Sequence, residues 1–328
     1  MKRNWMLLLV AVLAALIVFG CKDDSTDPDE NAMEILDAYM TANGKTLPDM
    51  LAGWIIGPDS LVQVLDQNYV MDIRAGDYHG ATAADPADDI VDYDNGHIEG
   101  AVLSSLGNIL TDAALADNPI VVVCYTGQSA GHAVMALRLS GYTDARVLKL
   151  GMSGWNGDFD KWSGATATLN HANWVAAPGA IEAAEVFEYP EFDSELEAGA
   201  GILEERVAYM LEEGFKGVAA VNADADGVLD DPSMYFINNF WTAENVEEYG
   251  NIDGAYRINP LVLENLDPNE TVVTYCWTGQ TSSMITAYLT VLGYDAKSLK
   301  FGSNAMIYDD LTGHKWIESF DYDYIVTP

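Results

Sequence analysis

Ile120, Val121, Val122 and Val123 form a β-branched run without polar alternation, the pattern of a strand buried on both faces. Cys124 ends the run, and the short loop Tyr125-Thr126-Gly127-Gln128-Ser129 follows. Ala130, Ala133, Val134 and Leu137 then recur at helical spacing as far as Gly141, a C-terminal stop. The pattern returns later in the chain. Val272-Val273-Thr274-Tyr275 leads into Cys276, the loop Trp277-Thr278-Gly279-Gln280-Thr281, and a run of Ile285, Leu289 and Leu292 that stops at Gly293. Cys124 and Cys276 lie 152 positions apart, as do the pairs Gly141-Tyr142 and Gly293-Tyr294. Equal spacing over equal patterning argues for a duplicated unit.

The remaining polar and apolar rhythm fills in each copy. In the first, residues 31–45 read as an amphipathic helix and Leu61–Leu65 as another. Tyr69-Val70-Met71-Asp72-Ile73-Arg74 reads as a strand with a polar end, and Arg146–Leu150 as a further strand closed by Gly151-Met152-Ser153-Gly154-Trp155. Residues 163–190, rich in Ala, Gly and Thr, read as a linker. In the second copy a helix is expected over 194–213. The strand Met234–Phe240 places Asn238 and Phe240 where the first copy has Asp72 and Arg74. Strands alternating with helices predict an α/β fold, each copy a parallel sheet flanked by helices. In such sheets reactive groups sit at the carboxyl ends of strands, where both cysteines fall.

Composition narrows the partners. The chain has 328 residues and 49% hydrophobic content, enough for about two domains. With 51 acidic against 15 basic residues the formal charge is −36, so no nucleic acid partner is expected, phosphate contacts needing clustered Lys or Arg. The start of the chain carries Lys2 and Arg3, an apolar run from Met6 to Phe19, and Val18-Phe19-Gly20-Cys21. The run is short for a span and fits a signal-peptide core. Its end resembles the lipobox of bacterial lipoproteins, which implies that Cys21 is acylated. The acidic stretch 21–32 then reads as a tether. The expected place is the cell envelope, periplasmic or surface-exposed, with membrane contact through the lipid only. The expected organisation is a signal peptide at 1–20, a tether at 21–32, domains at 33–162 and 191–328, and the linker between them.

The three cysteines are Cys21, Cys124 and Cys276. If the first is lipidated, two equivalent thiols remain. A disulfide between them is the alternative in an oxidising compartment. Zinc is not expected, because no CxxC or paired-His spacing occurs. Neither cysteine loop contains Lys or Arg, so a sulfur anion there must be steadied by main-chain N–H groups and the helix dipole. A phosphatase would need Cys-x5-Arg, and positions 130 and 282 are Ala and Ser. Ser129 and Thr281 are candidate extra donors to the sulfurs.

Four motifs together carry a family resemblance. Asp72-x-Arg74, Gly96-His97-Ile98-Glu99-Gly100-Ala101, Cys124-x-x-Gly127-x-Ser129 and Gly151-x-x-Gly154-Trp155 occur in the order found in rhodanese (sulfurtransferase) domains. The resemblance implies that Cys124, and Cys276 in the more divergent second copy, carry a persulfide. The five residues that follow each cysteine would cradle it, with Asp72 and Arg74 supporting. It implies transfer of sulfane sulfur from thiosulfate or a polysulfide to a thiol or cyanide, with no cofactor required. The residues leave two other readings open: a non-enzymatic persulfide carrier that docks a redox partner, and an interaction module. Outside these motifs, Asn222, Asp224, Asp226 and Asp230 surround Gly227 in the spacing of a Ca²⁺ loop, without the bidentate Glu that usually completes one. The bland alternative there is an Asx-rich turn.

Overall fold

The computed structural model describes residues 31–74, 92–179 and 181–327. The signal peptide, Cys21 and nearly all of the tether lie outside the described residues, as do Asp85, Asp88 and Asp89 of the acidic insertion.

Two parallel sheets carry the architecture. The first is built from β1 (Ile55–Ile56), β2 (Tyr69–Asp72), β3 (Val102–Leu103), β4 (Ile120–Val123) and β5 (Arg146–Leu148), in the order β1-β5-β4-β2-β3. A short antiparallel pair follows, joining β6 (Trp174–Val175) to β9 (Asn251–Ile252). The second sheet uses β7 (Gly217–Val218), β8 (Phe236–Asn239), β10 (Val272–Tyr275) and β11 (Ala296–Leu299), in the order β7-β11-β10-β8. Four strands of each sheet therefore repeat one order, with β4 and β10 as the central cysteine-bearing strands. Both are buried at every position. Along β4, Ile120 and Val122 enter one core while Val121 and Val123 enter another, as strand alternation requires. Both faces are covered, which explains the unbroken apolar run.

The helix Gln128–Leu139 after Cys124 and the helix Gln280–Val291 after Cys276 pack on each other. Each has a single residue that is not fully buried, Ser129 and Thr281. Helices buried all round belong in the middle of a fold. One hydrophobic core accordingly joins residues of both halves, including Val122, Ala133, Val272 and Ile285. Both helices end alike. Gly141 (φ 106°) and Gly293 (φ 98°) turn the chain, and the N–H groups of Tyr142 and Tyr294 reach back to Leu137 and Leu289 carbonyls at 3.0 Å. That is a Schellman end, and it accounts for the repeated Gly-Tyr pair.

The ends of the described chain cross between halves. The helix Ala32–Ala42 packs on the helix Gly199–Glu213, which begins five residues after the expected Ser194. Residues 320–327 lie along the first half: Phe320 and Tyr322 N–H groups donate to Gly154 and Trp155 carbonyls, and Ile325 exchanges both main-chain bonds with His97. The stretch 163–190 connects the sheets and is itself laid on the second half, through β6 and the bonds of Ala167 and Leu169 to Asn304 and Met306. Among the described residues no helix is long and apolar enough to cross a membrane.

Candidate active site: two cysteine loops

At the end of β4 the loop bends through Gly127, whose φ is 80°. The following helix has no side-chain cap. Its first amides turn to the sulfur instead: Gly127 and Ala130 N–H groups donate to Cys124 Sγ at 3.1 and 3.4 Å. Main-chain donors left over at a helix start are what an anionic sulfur needs. Beneath the loop, Met152 and Ser153 N–H groups donate to the Cys124 and Tyr125 carbonyls at 2.8 and 3.0 Å. Gly151 (φ 61°) allows that approach, since a Cβ there would stand 2.7 Å from Thr126 N.

Arg74 braces this loop from the side. Its Nε lies 2.9 Å from Asp72 Oδ1, its Nη2 lies 2.7 Å from Asp72 Oδ2, and Nη2 also donates to the Gly96 carbonyl. The guanidinium stands 5.2 Å from the centres of both the Tyr125 and Phe159 rings. Burial works against the Arg74 charge, but Asp72, joined by Tyr125 and Asp92, holds the arginine above its ordinary pKa. Burial, with Asp92, pushes the Tyr125 hydroxyl up to about 12, so it is a neutral phenol at neutral pH. The first carbonyl of the Gly96–Ala101 motif thus anchors the arginine that props the cysteine loop, which gives that motif a physical reason.

The second loop has the same frame with different bracing. Ser282 N–H donates to Cys276 Sγ at 3.4 Å, and Ser282 Oγ lies 3.6 Å from that sulfur and 2.7 Å from Ser298 Oγ. Among the described residues the donors to the two sulfurs are the N–H groups of Gly127, Ala130 and Ser282, whereas Ser129 and Thr281, the expected extra donors, lie in the first turn of each helix and make no hydrogen bond to the sulfurs. Strand register corrects the expected equivalence of Asn238 and Phe240 with Asp72 and Arg74. Asp72 pairs with Val123, the residue before Cys124; Asn239 pairs with Tyr275, the residue before Cys276. Asn239 and Trp241 are therefore the counterparts. Their local bond repeats too: Arg74 N–H to Asp72 Oδ1 and Trp241 N–H to Asn239 Oδ1 are both 3.1 Å. Trp241 then stacks on Trp277 at 4.2 Å, where Arg74 faces Tyr125. An aromatic stack has replaced an ion pair, and a one-residue misalignment hides it from sequence comparison.

The two loops touch. Gln128 Oε1 accepts from Phe301 N–H at 2.9 Å, while Gln128 Nε2 donates to Thr126 Oγ1 at 3.1 Å. A Cβ on Gly279 would stand 2.5 Å from Gln128 Oε1, and one on Gly127 would collide with Gln280 Nε2. Each glycine leaves room for the glutamine of the opposite loop. Thr278 Oγ1 lies 3.4 Å from Gln280 Oε1. Both cysteines are free thiols, which removes the disulfide alternative, and each residue is 3% exposed. Access differs. Tyr125, Thr126 and Gln128 are buried, whereas Trp277, Thr278 and Thr281 are half-buried and, with Gln280, line a cleft of about 530 Å³. Sequence reasoning missed this cleft because its other wall comes from the first half.

In the acidic loop at 222–230, oxygens of Asn222, Asp226 and Asp230 accept hydrogen bonds from within the loop. Asn222 Oδ1 accepts from Asp224 N–H at 3.0 Å, Asp230 Oδ2 accepts from Asn222 and Gly227 N–H groups at 2.9 and 3.1 Å, and Asn222 Nδ2 donates to Asp226. Among the described residues no three His, Cys, Asp or Glu side chains stand together as a metal group.

Residues 58–158 match the family described as Rhodanese-like domain. No curated protein matches the chain by sequence. Among solved structures, it is similar to a rhodanese-related protein from Thermoplasma volcanium (17% identity, TM-score 0.24, covering 31% of this chain and 89% of that one). It is also similar to a thiosulfate sulfurtransferase from Pseudomonas aeruginosa (15% identity, TM-score 0.28, covering 89% of this chain and 49% of that one). A third likeness is to 3-mercaptopyruvate sulfurtransferase from Leishmania major (13% identity, TM-score 0.30, covering 79% and 75%).

Proposed function

We propose, from the premise that residues 58–158 form a rhodanese-like domain, that the chain moves sulfane sulfur through cysteine persulfides. The observation that carries this is the pair of amides, Gly127 and Ala130, turned on Cys124 Sγ at the start of an otherwise uncapped helix. A thiolate there attacks the outer sulfur of thiosulfate. A sulfur–sulfur bond forms to the cysteine, the donor's own sulfur–sulfur bond breaks, and its electron pair leaves on sulfite. An acceptor thiolate or cyanide then takes the outer sulfur and returns the cysteine thiolate. The charge moved onto the outer sulfur stays within reach of fixed N–H dipoles, which need no reorganisation at the moment of transfer.

Both cysteines, equally buried, are assigned to this chemistry, and the residues after Cys276 give its loop the wider approach because they line the cleft. The role at the membrane rests on the apolar run 6–19 and on Cys21. Thiosulfate and cyanide turnover tests the reading in Cys124→Ser, Cys276→Ser and the double variant. The double variant is expected to be inactive, with Cys124→Ser retaining the larger share. Intact-mass measurement after thiosulfate should show a gain of about 32 Da, one sulfur, on each remaining cysteine. A persulfide without turnover would instead identify a carrier that hands sulfur to a protein partner. No added sulfur on either cysteine would end the assignment.

A further inference from the structure

We infer that the cleft beside the Cys276 loop is built for an organic sulfur anion, with an apolar body and one charged head, and that Lys149 supplies the charge that selects it. This deepens the sulfur-transfer reading of Cys276 and rests on it. The cleft holds about 530 Å³. Thiosulfate has five heavy atoms, the bulk of a few water molecules at about 30 Å³ each, and leaves most of that space empty. The size is instead that of a site for a small organic molecule.

The lining argues the same way. Trp54, Ile55 and Leu150 from the first half face Trp277 and Ile317 from the second. Trp277 stacks with Trp241 and with His314, at 4.2 and 5.1 Å between ring centres, and these contacts fix it in place. A wall of aromatic and aliphatic side chains already fixed in place takes an apolar group at little entropic cost. The charges are reversed from the rest of the molecule. The chain has 51 acidic residues, yet among the described residues no carboxylate lines this cleft, while Lys149 and Lys315 do. A second cavity of about 580 Å³ shows the chain's ordinary habit, with Glu182, Glu185, Asp231, Asp253, Asp267 and Glu270 in its wall. Lys315 is held by the Tyr308 carbonyl at 3.0 Å and lies over that ring. Lys149 is exposed and comes from the turn after β5. The cation missing from the second cysteine loop is thus provided by the first half.

Benzenethiosulfonate is a suitable probe of this class. Cys276 thiolate attacks its terminal sulfur, the bond to the sulfonyl sulfur breaks, and the pair leaves on benzenesulfinate, so charge and atoms balance. The test uses the full chain carrying Cys124→Ser, alone and with Lys149→Gln or Lys149→Arg. Benzenesulfonate, which carries no transferable sulfur, is titrated against the fluorescence of Trp54 and Trp277 in the wall. Lys149→Gln should weaken its binding about fivefold, as loss of one part-exposed charge contact allows, with Lys149→Arg restoring it. KM for benzenethiosulfonate should rise by the same factor without a fall in kcat. Uncharged iodoacetamide reports any change in the thiol itself. Benzenesulfonate that fails to bind, or binds alike with and without Lys149, overturns the cleft assignment even if Cys276 accepts sulfur. Cys276 that accepts sulfur from no donor overturns the transfer reading, while the fluorescence titration still reports on the cleft.

Discussion

At the scale of single residues, the two cysteine loops solve one mechanical problem with different chemistry. Asp72 is fully buried, and Arg74 neutralises it while pressing on Tyr125. Arg74→Met would strand that carboxylate, so a loss on the order of 3–5 kcal/mol is expected in urea unfolding. Asp72→Asn with Arg74→Met should recover part of it, because the two changes share one interaction. Persulfide formation should fall at Cys124 and persist at Cys276, whose brace is Trp241 on Trp277. The ion pair was legible in the chain because its two residues are neighbours in one motif. Trp241 was not, because nothing local reveals which residue of β8 faces Tyr275. That equivalence depends on hydrogen-bond register between strands far apart in sequence.

At the scale of elements, each cysteine helix is held twice, by its own sulfur at the start and by its twin along one side. Gly131 marks the crossing, where an added Cβ would stand 3.2 Å from the Gln280 carbonyl. Near this crossing Gln128 ties the first loop to Phe301, whose neighbour Gly302 packs under the Cys276 loop, with Ser303 N–H donating to the Cys276 carbonyl at 3.0 Å. Gln128→Met keeps the side chain's length and removes the acceptor. The expected outcome is a loss of about 1 kcal/mol of stability and slower sulfur loading of Cys276, followed by mass over time in the Cys124→Ser background. Unchanged loading would show that the bond does not position the second loop. The helices themselves were readable from their apolar spacing and terminal glycines. Their burial on every side was not, since a one-sided pattern cannot announce a partner from the other repeat.

At the scale of the whole molecule, the helix Gly199–Glu213 is bound to the first half through His132. That side chain is fully buried with its Nε2 3.0 Å from the Met210 carbonyl. Burial holds its pKa down to about 4, from an ordinary 6.5. The folded chain therefore binds this proton later than the unfolded chain does. Stability is whole above pH 6.5 and falls as the pH drops from there toward 4. The loss is about 3 kcal/mol for such a shift. Thermal unfolding between pH 7 and pH 5 should lose part of its slope in His132→Gln, which keeps an N–H donor and cannot charge. An unchanged slope would assign the acid sensitivity elsewhere in a chain of net charge −36.

The sequence alone determined the local units: two buried cysteine strands, each followed by a glycine-bent loop and a helix closed by Gly-Tyr. These depend on contacts within a dozen residues, where side-chain chemistry and backbone geometry act directly. Tertiary structure alone decided what the loops face. It brought Lys149 and Trp54 to the second cysteine's cleft, set Gln128 against Gly279, aligned Trp241 with Arg74, and laid residues 320–327 along the first half. The reason is that two copies of one fold, packed on a shared core, contribute to each other's surroundings. The residues so joined stand a hundred or more positions apart, beyond the reach of any periodicity in the chain.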